Sequence, residues 1–143
     1  MIVYLSEDTP FRFDGKKMRT SRWLREVARR AGRRIGDMSV VFCSDPYLLG
    51  VNREYLGHDY YTDIITFDYC EGDDVLSGDL MISVDTVRAN AAEYGAASFE
   101  EELDRVIVHG LLHLIGFDDH TDEQRKEMRA QENAALELLK TMA

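Results

Sequence analysis

Two histidines, His109 and His113, stand four residues apart in the stretch Val-His-Gly-Leu-Leu-His-Leu-Ile-Gly-Phe-Asp-Asp-His-Thr, which runs over residues 108–121. On a helix this spacing projects both imidazoles from one face, about one turn apart. That geometry suits two ligands of a single tetrahedral Zn²⁺. Gly116 lets the chain turn sharply after the second histidine. A residue of the polar cluster Asp118-Asp119-His120 can then swing back as a third ligand. A histidine pair alone is as readily a core pair satisfied by carbonyls; the glycine stop and the polar cluster behind it favour the metal.

A helix followed by a glycine turn of this kind is metzincin-like, with one large difference. Metalloproteases carry Glu after the first histidine as general base, and here that place is Gly110. A peptidase built this way lacks its proton acceptor. The simplest remaining chemistry uses the metal itself, which brings the pKa of a bound water down to about 7. Water activated in this way can attack a phosphodiester while a nearby cation takes up the developing charge.

The distribution of charge is compatible with the same substrate class. The net charge is −10, yet residues 16–34 hold nine Lys and Arg against the single Glu26. That segment carries +8 and the remainder of the chain −18. A basic face can hold a polyanion on an acidic protein, and Arg22, Arg29 and Arg33 are its candidate phosphate contacts. A solvated helix face is the alternative reading of the same charges. Tyr55, Tyr60, Tyr61 and Phe67 could stack unpaired bases, although Phe67, inside a strand pattern, reads better as core. His58 is a possible proton donor and reads better as a turn residue. Asp63 and Asp79 read as residues that order loops or support the ligands.

The sequence His-Gly-Leu-Leu-His-Leu-Ile-Gly-Phe-Asp-Asp-His resembles the signature of the YbeY family, bacterial endoribonucleases specific for single strands. Two further blocks agree in order: Asn52-Arg53-Glu54-Tyr55, Asp59 and Thr62-Asp63-Ile64-Ile65-Thr66-Phe67, then Gly78-Asp79-Leu80. The resemblance extends over about residues 40–139. It implies a zinc-dependent ribonuclease with one metal ion per chain. It also implies maturation of the 3′ end of 16S rRNA on the small ribosomal subunit, and a part in ribosome quality control. His109 is then both ligand and catalytic residue, beside His113. The family's third histidine falls six residues after the second, where this chain has Asp119, with His120 one place later. Spacing favours Asp119, whose carboxylate is a competent ligand; chemical identity favours His120 through a one-residue bulge. The family also has Arg directly after the Tyr of the second block, where this chain has Leu56. Arg53, one turn upstream, is the candidate substitute. Two other functions stay in view: a non-catalytic, zinc-stabilised ribosome assembly factor, and a hydrolase of small esters or amides. The basic helix argues against the second, because a small substrate needs no such surface.

These groups must be positioned by the rest of a 143-residue chain that is 45% hydrophobic. The length suits one domain over residues 1–143, large enough to bury about two-thirds of its unfolded surface. The pattern predicts an α+β fold, a small sheet with helices packed around it, and the resemblance to the YbeY family implies that the sheet is mixed. Strands are expected at residues 2–5, 39–43, 63–69 and 78–84, with an acidic hairpin loop at 71–74. Helices are expected at 17–31, with Met18, Trp23, Leu24, Val27, Ala28 and Ala31 inward, and from Ser44-Asp45-Pro46 to about 56. Asp85 is the expected cap of a helix over 86–94 closed by Gly95. Capping boxes at Ser98 and Thr121 open the metal helix, which ends at Gly116, and a final helix. Cys43 and Cys70 have neither disulfide-framework nor CxxC spacing and read as reduced, buried, cytoplasmic thiols. The longest apolar run, over 106–117, is too short to span a bilayer, and the N-terminus has no basic head or apolar signal stretch.

Overall fold

The computed structural model describes residues 1–94 and 98–142. Its elements run β1 (Ile2–Glu7), α1 (Lys17–Arg30), β2 (Arg34–Cys43), α2 (Asp45–Val51), β3 (Ile64–Asp68), β4 (Val75–Ser83), α3 (Val84–Tyr94), α4 (Phe99–Ile115) and α5 (Asp122–Thr141). The strands form one sheet in the order β1-β2-β4-β3. β1, β2 and β4 are mutually parallel and β3 is antiparallel to β4. This is the mixed sheet that the family resemblance implies, and β3 is one of its free edges.

Alternation along the strands divides the core in two. Met38, Val40 and Phe42 of β2 and Leu76, Leu80 and Ile82 of β4 pack with α1, α3, α4 and α5 in the main core. Cys43, Ile65 and Leu48 of α2 form a smaller cluster on the other face. The Trp23 indole of α1 donates to the Ala135 carbonyl of α5 at 2.8 Å. Arg19 of α1 pairs with the buried Asp104 of α4 at 2.9 Å. Together these contacts hold the three helices that carry the basic segment, the histidines and their supports.

Several elements differ from the sequence pattern for identifiable reasons. β2 begins at Arg34 rather than residue 39, because Arg34 and Ile35 pair with Val75 and Leu76 across a register shift; pairing there needs no apolar run. The helix expected to reach residue 56 ends at Val51 and continues as a π-helical turn, Asn52–Leu56, closed by Gly57 in the left-handed region. Ser83 rather than Asp85 caps α3: its hydroxyl accepts the Thr86 amide at 3.2 Å, while the Asp85 carboxylate accepts the Asp45 amide at 2.9 Å. Met18 and Ala31 point outward, Met18 being 82% exposed, so the inward face of α1 is Thr20, Trp23, Leu24 and Ala28. Cys43 is buried as expected and Cys70 only half-buried. Gly95 lies outside the described residues.

Candidate metal centre

The Ser98 hydroxyl accepts the Glu101 amide at 3.1 Å and opens α4. The helix ends where the Gly116 amide reaches the Leu112 and His113 carbonyls at 3.1 Å, with Gly116 at φ +126°. An L side chain rarely adopts that backbone conformation, so glycine is required for the turn. α5 then starts with a complete capping box between Thr121 and Gln124. Its first turn also pins the connecting loop. The Gln124 carboxamide oxygen accepts the His120 and Thr121 amides at 3.0 and 3.1 Å. The Arg125 guanidinium donates to the His120 carbonyl at 3.0 Å and pairs with Asp122. The loop so held turns Asp119 back over the last turns of α4.

Three donor atoms converge as a result. His109 Nε2 and His113 Nε2 are 3.0 Å apart, and Asp119 Oδ2 lies 3.3 Å from the first and 3.4 Å from the second. Ligands at about 2.0–2.1 Å in a tetrahedral shell stand about 3.3 Å from one another. The donor set and its spacing therefore fit one zinc ion. His109, His113 and Asp119 form the metal-capable cluster found among the described residues, and His120 is not part of it. The His120 ring is exposed and borders the adjoining cleft.

His109 is oriented from behind by a residue that sequence reasoning missed. Its Nδ1–H donates to the Glu132 carboxylate of α5 at 2.7 Å. Glu132, 7% exposed, is held in turn by Arg105 at 2.9 Å. Burial alone lowers the His109 pKa, but the Glu132 contact outweighs it, aided by the charges of Asp119 and Asp63, and leaves it above its ordinary value. Burial likewise pushes the Glu132 carboxyl up, and its bonds to His109 and Arg105 bring it below the usual range. A carboxylate behind a histidine ligand fixes the tautomer and aims the other nitrogen at the metal. Nothing local in the sequence marks Glu132; it is one of several acids on a charged helix, 23 residues from its partner.

Gly110 faces the sheet. A Cβ there would stand 2.8 Å from Leu80 Cδ2 and 2.9 Å from Ile64 Cδ1. The missing side chain is thus the condition for α4 to lie closely on β3 and β4, as well as the absence of a base.

The cluster opens into a cleft of about 450 Å³ bordered by His58 and Tyr60, by Leu56, and by Thr62, Asp63, Ile64 and Thr66 leading into and along the free edge of β3. Asp63 is a cleft residue, and burial raises its carboxyl pKa while His109 and nearby amides oppose the shift. Asp79 is on the opposite face of the sheet, where it accepts the Tyr69 hydroxyl at 3.2 Å, and so does not support the ligands. Arg53 is exposed, paired with Asp59, and absent from the cleft lining. Arg22 and Arg29 lie on α1 and Arg33 just beyond it, away from the cleft; Arg29 is bound to Glu26 at 2.6 Å.

Comparison with known proteins agrees with this architecture. The sequence model of the family described as "Endoribonuclease YbeY" matches residues 7–140. The chain belongs to the endoribonuclease YbeY family. Among curated relatives it is 55% identical over 123 residues to an endoribonuclease YbeY of Bacteroides thetaiotaomicron, covering 86% of this chain and 88% of the relative. It is 52% identical over 139 residues to one of Phocaeicola vulgatus, covering 97% and 99%. The solution structure of TM1509 from Thermotoga maritima superposes with a TM-score of 0.67 at 30% identity, covering 97% of this chain and 89% of that one. In this chain the carboxylate of Asp119 faces the two histidines, and Leu56 stands at the cleft wall.

Proposed function

We propose that this protein is a zinc-dependent endoribonuclease specific for single-stranded RNA, acting in the cytoplasm on the 3′ end of 16S rRNA in the small ribosomal subunit and in ribosome quality control. The observation that carries the metal chemistry is the convergence of His109, His113 and Asp119 at tetrahedral spacing beside an open cleft. Membership of the YbeY family supports the RNA substrate. One zinc ion per chain, held by these three side chains, supplies Lewis acidity and water that ionises near neutral pH. The chain's own residues do the rest. Glu132 keeps the His109 proton on Nδ1, so that Nε2 is always the ligand nitrogen. Gln124 and Arg125 hold the loop that carries Asp119. Gly110 offers no proton acceptor at the position that follows the first histidine. Arg22, Arg29 and Arg33 bind the RNA backbone outside the cleft through phosphate contacts that do not read sequence.

A second reading, a zinc-stabilised assembly factor without catalysis, draws on Leu56: among the described residues that line the cleft there is no Lys or Arg to meet developing charge. One experiment separates the two. Metal-quantified protein is incubated with single-stranded and duplex fragments of the 16S 3′ region, with and without chelator. Cleavage of the single strand alone, abolished by chelator and by His109→Ala, is expected. Metal-replete protein that binds but never cuts would establish the assembly factor instead.

A further inference from the structure

The cleft has to meet a polyanion, yet among the described residues that line it there is no Lys or Arg. Asp63, Asp68 and Asp119 stand there among histidines instead. The basic segment on α1 contributes no residue to it. Attraction between cleft side chains and phosphates therefore does not account for how a strand is held beside the three ligands. Contact with the bases is a source of affinity that needs no cationic side chain in the cleft.

The mouth of the cleft offers such a contact. The Tyr60 ring, in a residue 56% exposed, lies nearly parallel to the His58 ring, with centroids 5.1 Å apart and planes at 18°. The Tyr60 hydroxyl and His58 Nδ1 are 3.0 Å apart. An exposed tyrosine by itself needs no explanation, but this one is held from below. Asn52, 1% exposed, donates from its side-chain amide to the Tyr60 carbonyl at 2.9 Å. Its backbone carbonyl accepts the His58 amide at 3.1 Å, and neighbouring Arg53 pairs with Asp59, the residue between His58 and Tyr60 in the chain. Opening the loop would leave a buried amide without its partner, which is costly. The backbone that carries the two rings is thus held in place before any ligand arrives. Tyr55 and Tyr61 are more exposed but do not line the cleft, and Phe67 is turned against Tyr55 with centroids 6.0 Å apart.

We propose that the His58–Tyr60 ring pair is the platform on which an unpaired base of single-stranded RNA stacks, with the adjoining backbone directed toward His109, His113 and Asp119. The inference rests on the ribonuclease reading and adds its determinant of strand specificity. A base within a duplex has both faces covered by its neighbours, so only an unpaired one can occupy the platform. Every base has a π-face, so the contact tolerates any sequence.

The test uses metal-loaded protein and a short single-stranded RNA carrying one 2-aminopurine, read by fluorescence quenching and anisotropy. Tyr60→Leu should weaken binding by about tenfold and abolish the quenching, while Tyr60→Trp and Tyr60→Phe should retain both. In cleavage assays the loss should appear in KM, with kcat close to wild type. Tyr60→Leu that binds within twofold of wild type with quenching intact overturns the platform. So does Tyr60→Phe failing as badly as Tyr60→Leu, since the hydroxyl rather than the ring would then matter. Quenching that depends on Tyr60 in a protein that cuts no RNA sustains the platform and removes the ribonuclease reading; cleavage indifferent to Tyr60→Leu does the reverse.

Discussion

Removing the carboxylate behind His109 tests how far the metal site depends on α5. Glu132 accepts from His109 Nδ1 at 2.7 Å and from Arg105 at 2.9 Å. Substitution of such a partner of a metal-bound histidine typically lowers metal affinity by about 10–100-fold, or about 1.4–2.7 kcal/mol. Glu132→Gln keeps the volume and an acceptor oxygen but loses the charge, and charge-assisted bonds are roughly twice as strong as neutral ones. It should fall near the tenfold end. Glu132→Ala loses both contacts and should fall near the hundredfold end. It also strands Arg105, whose side chain is 17% exposed. Leaving one partner of a buried pair costs about 3–5 kcal/mol, and at about 2–4 °C per kcal/mol for a chain of this size Tm should drop by roughly 6–20 °C. Competition against a chromophoric chelator measures affinity, and melts of the metal-free proteins separate the stability effect. If Glu132→Gln and Glu132→Ala both bind zinc within twofold of wild type, the Nδ1 contact does not tune the site, and α5 has no part in aiming His109 at the metal.

Arg125→Ala should weaken zinc binding with little change in the melting of metal-free protein, because it frees the loop carrying Asp119 rather than a core contact; Arg125→Lys should recover part of the loss, and equal affinity for all three would refute the clamp. Gly110→Ala should destabilise by up to about 2 kcal/mol in denaturant titration, overpacking against Leu80 and Ile64 outweighing the helix propensity gained, and Gly110→Glu by considerably more. The Cys43 thiol, pushed up to about 12 by burial and then by the nearby charges of Asp85 and Asp45, is essentially all protonated at pH 8. Alkylation of native protein at that pH should therefore spare Cys43, its labelling should appear only above about pH 11 or on unfolding, and fast modification mapped to Cys43 in folded protein would contradict its burial. Leu56→Arg should raise cleavage by placing a cation on the cleft wall, and an unchanged kcat would show that developing charge is met elsewhere.

Much of this protein was legible in order along the chain. The i, i+4 histidines, the Gly116 stop and the Thr121 box are local signals, and each specifies a conformation through contacts within a few residues. The strand and helix types followed from apolar periodicity for the same reason, and ordered motifs were enough to suggest the YbeY family. What the chain alone left open was every relation between distant segments. The choice between Asp119 and His120 turns on the path of the loop over residues 116–121, which Gln124 and Arg125 pin from the next helix. Glu132 and Arg105 carry no local mark, and the motif that contains Asn52 does not name its partner, because these roles exist only once α5 packs on α4 and the π-helical turn closes under residues 58–60. The separation of the basic helix from the cleft is likewise a matter of packing. Periodicity determines which side of a helix is buried; the sheet it is buried against, and the side chains it then meets, are decided by tertiary contacts.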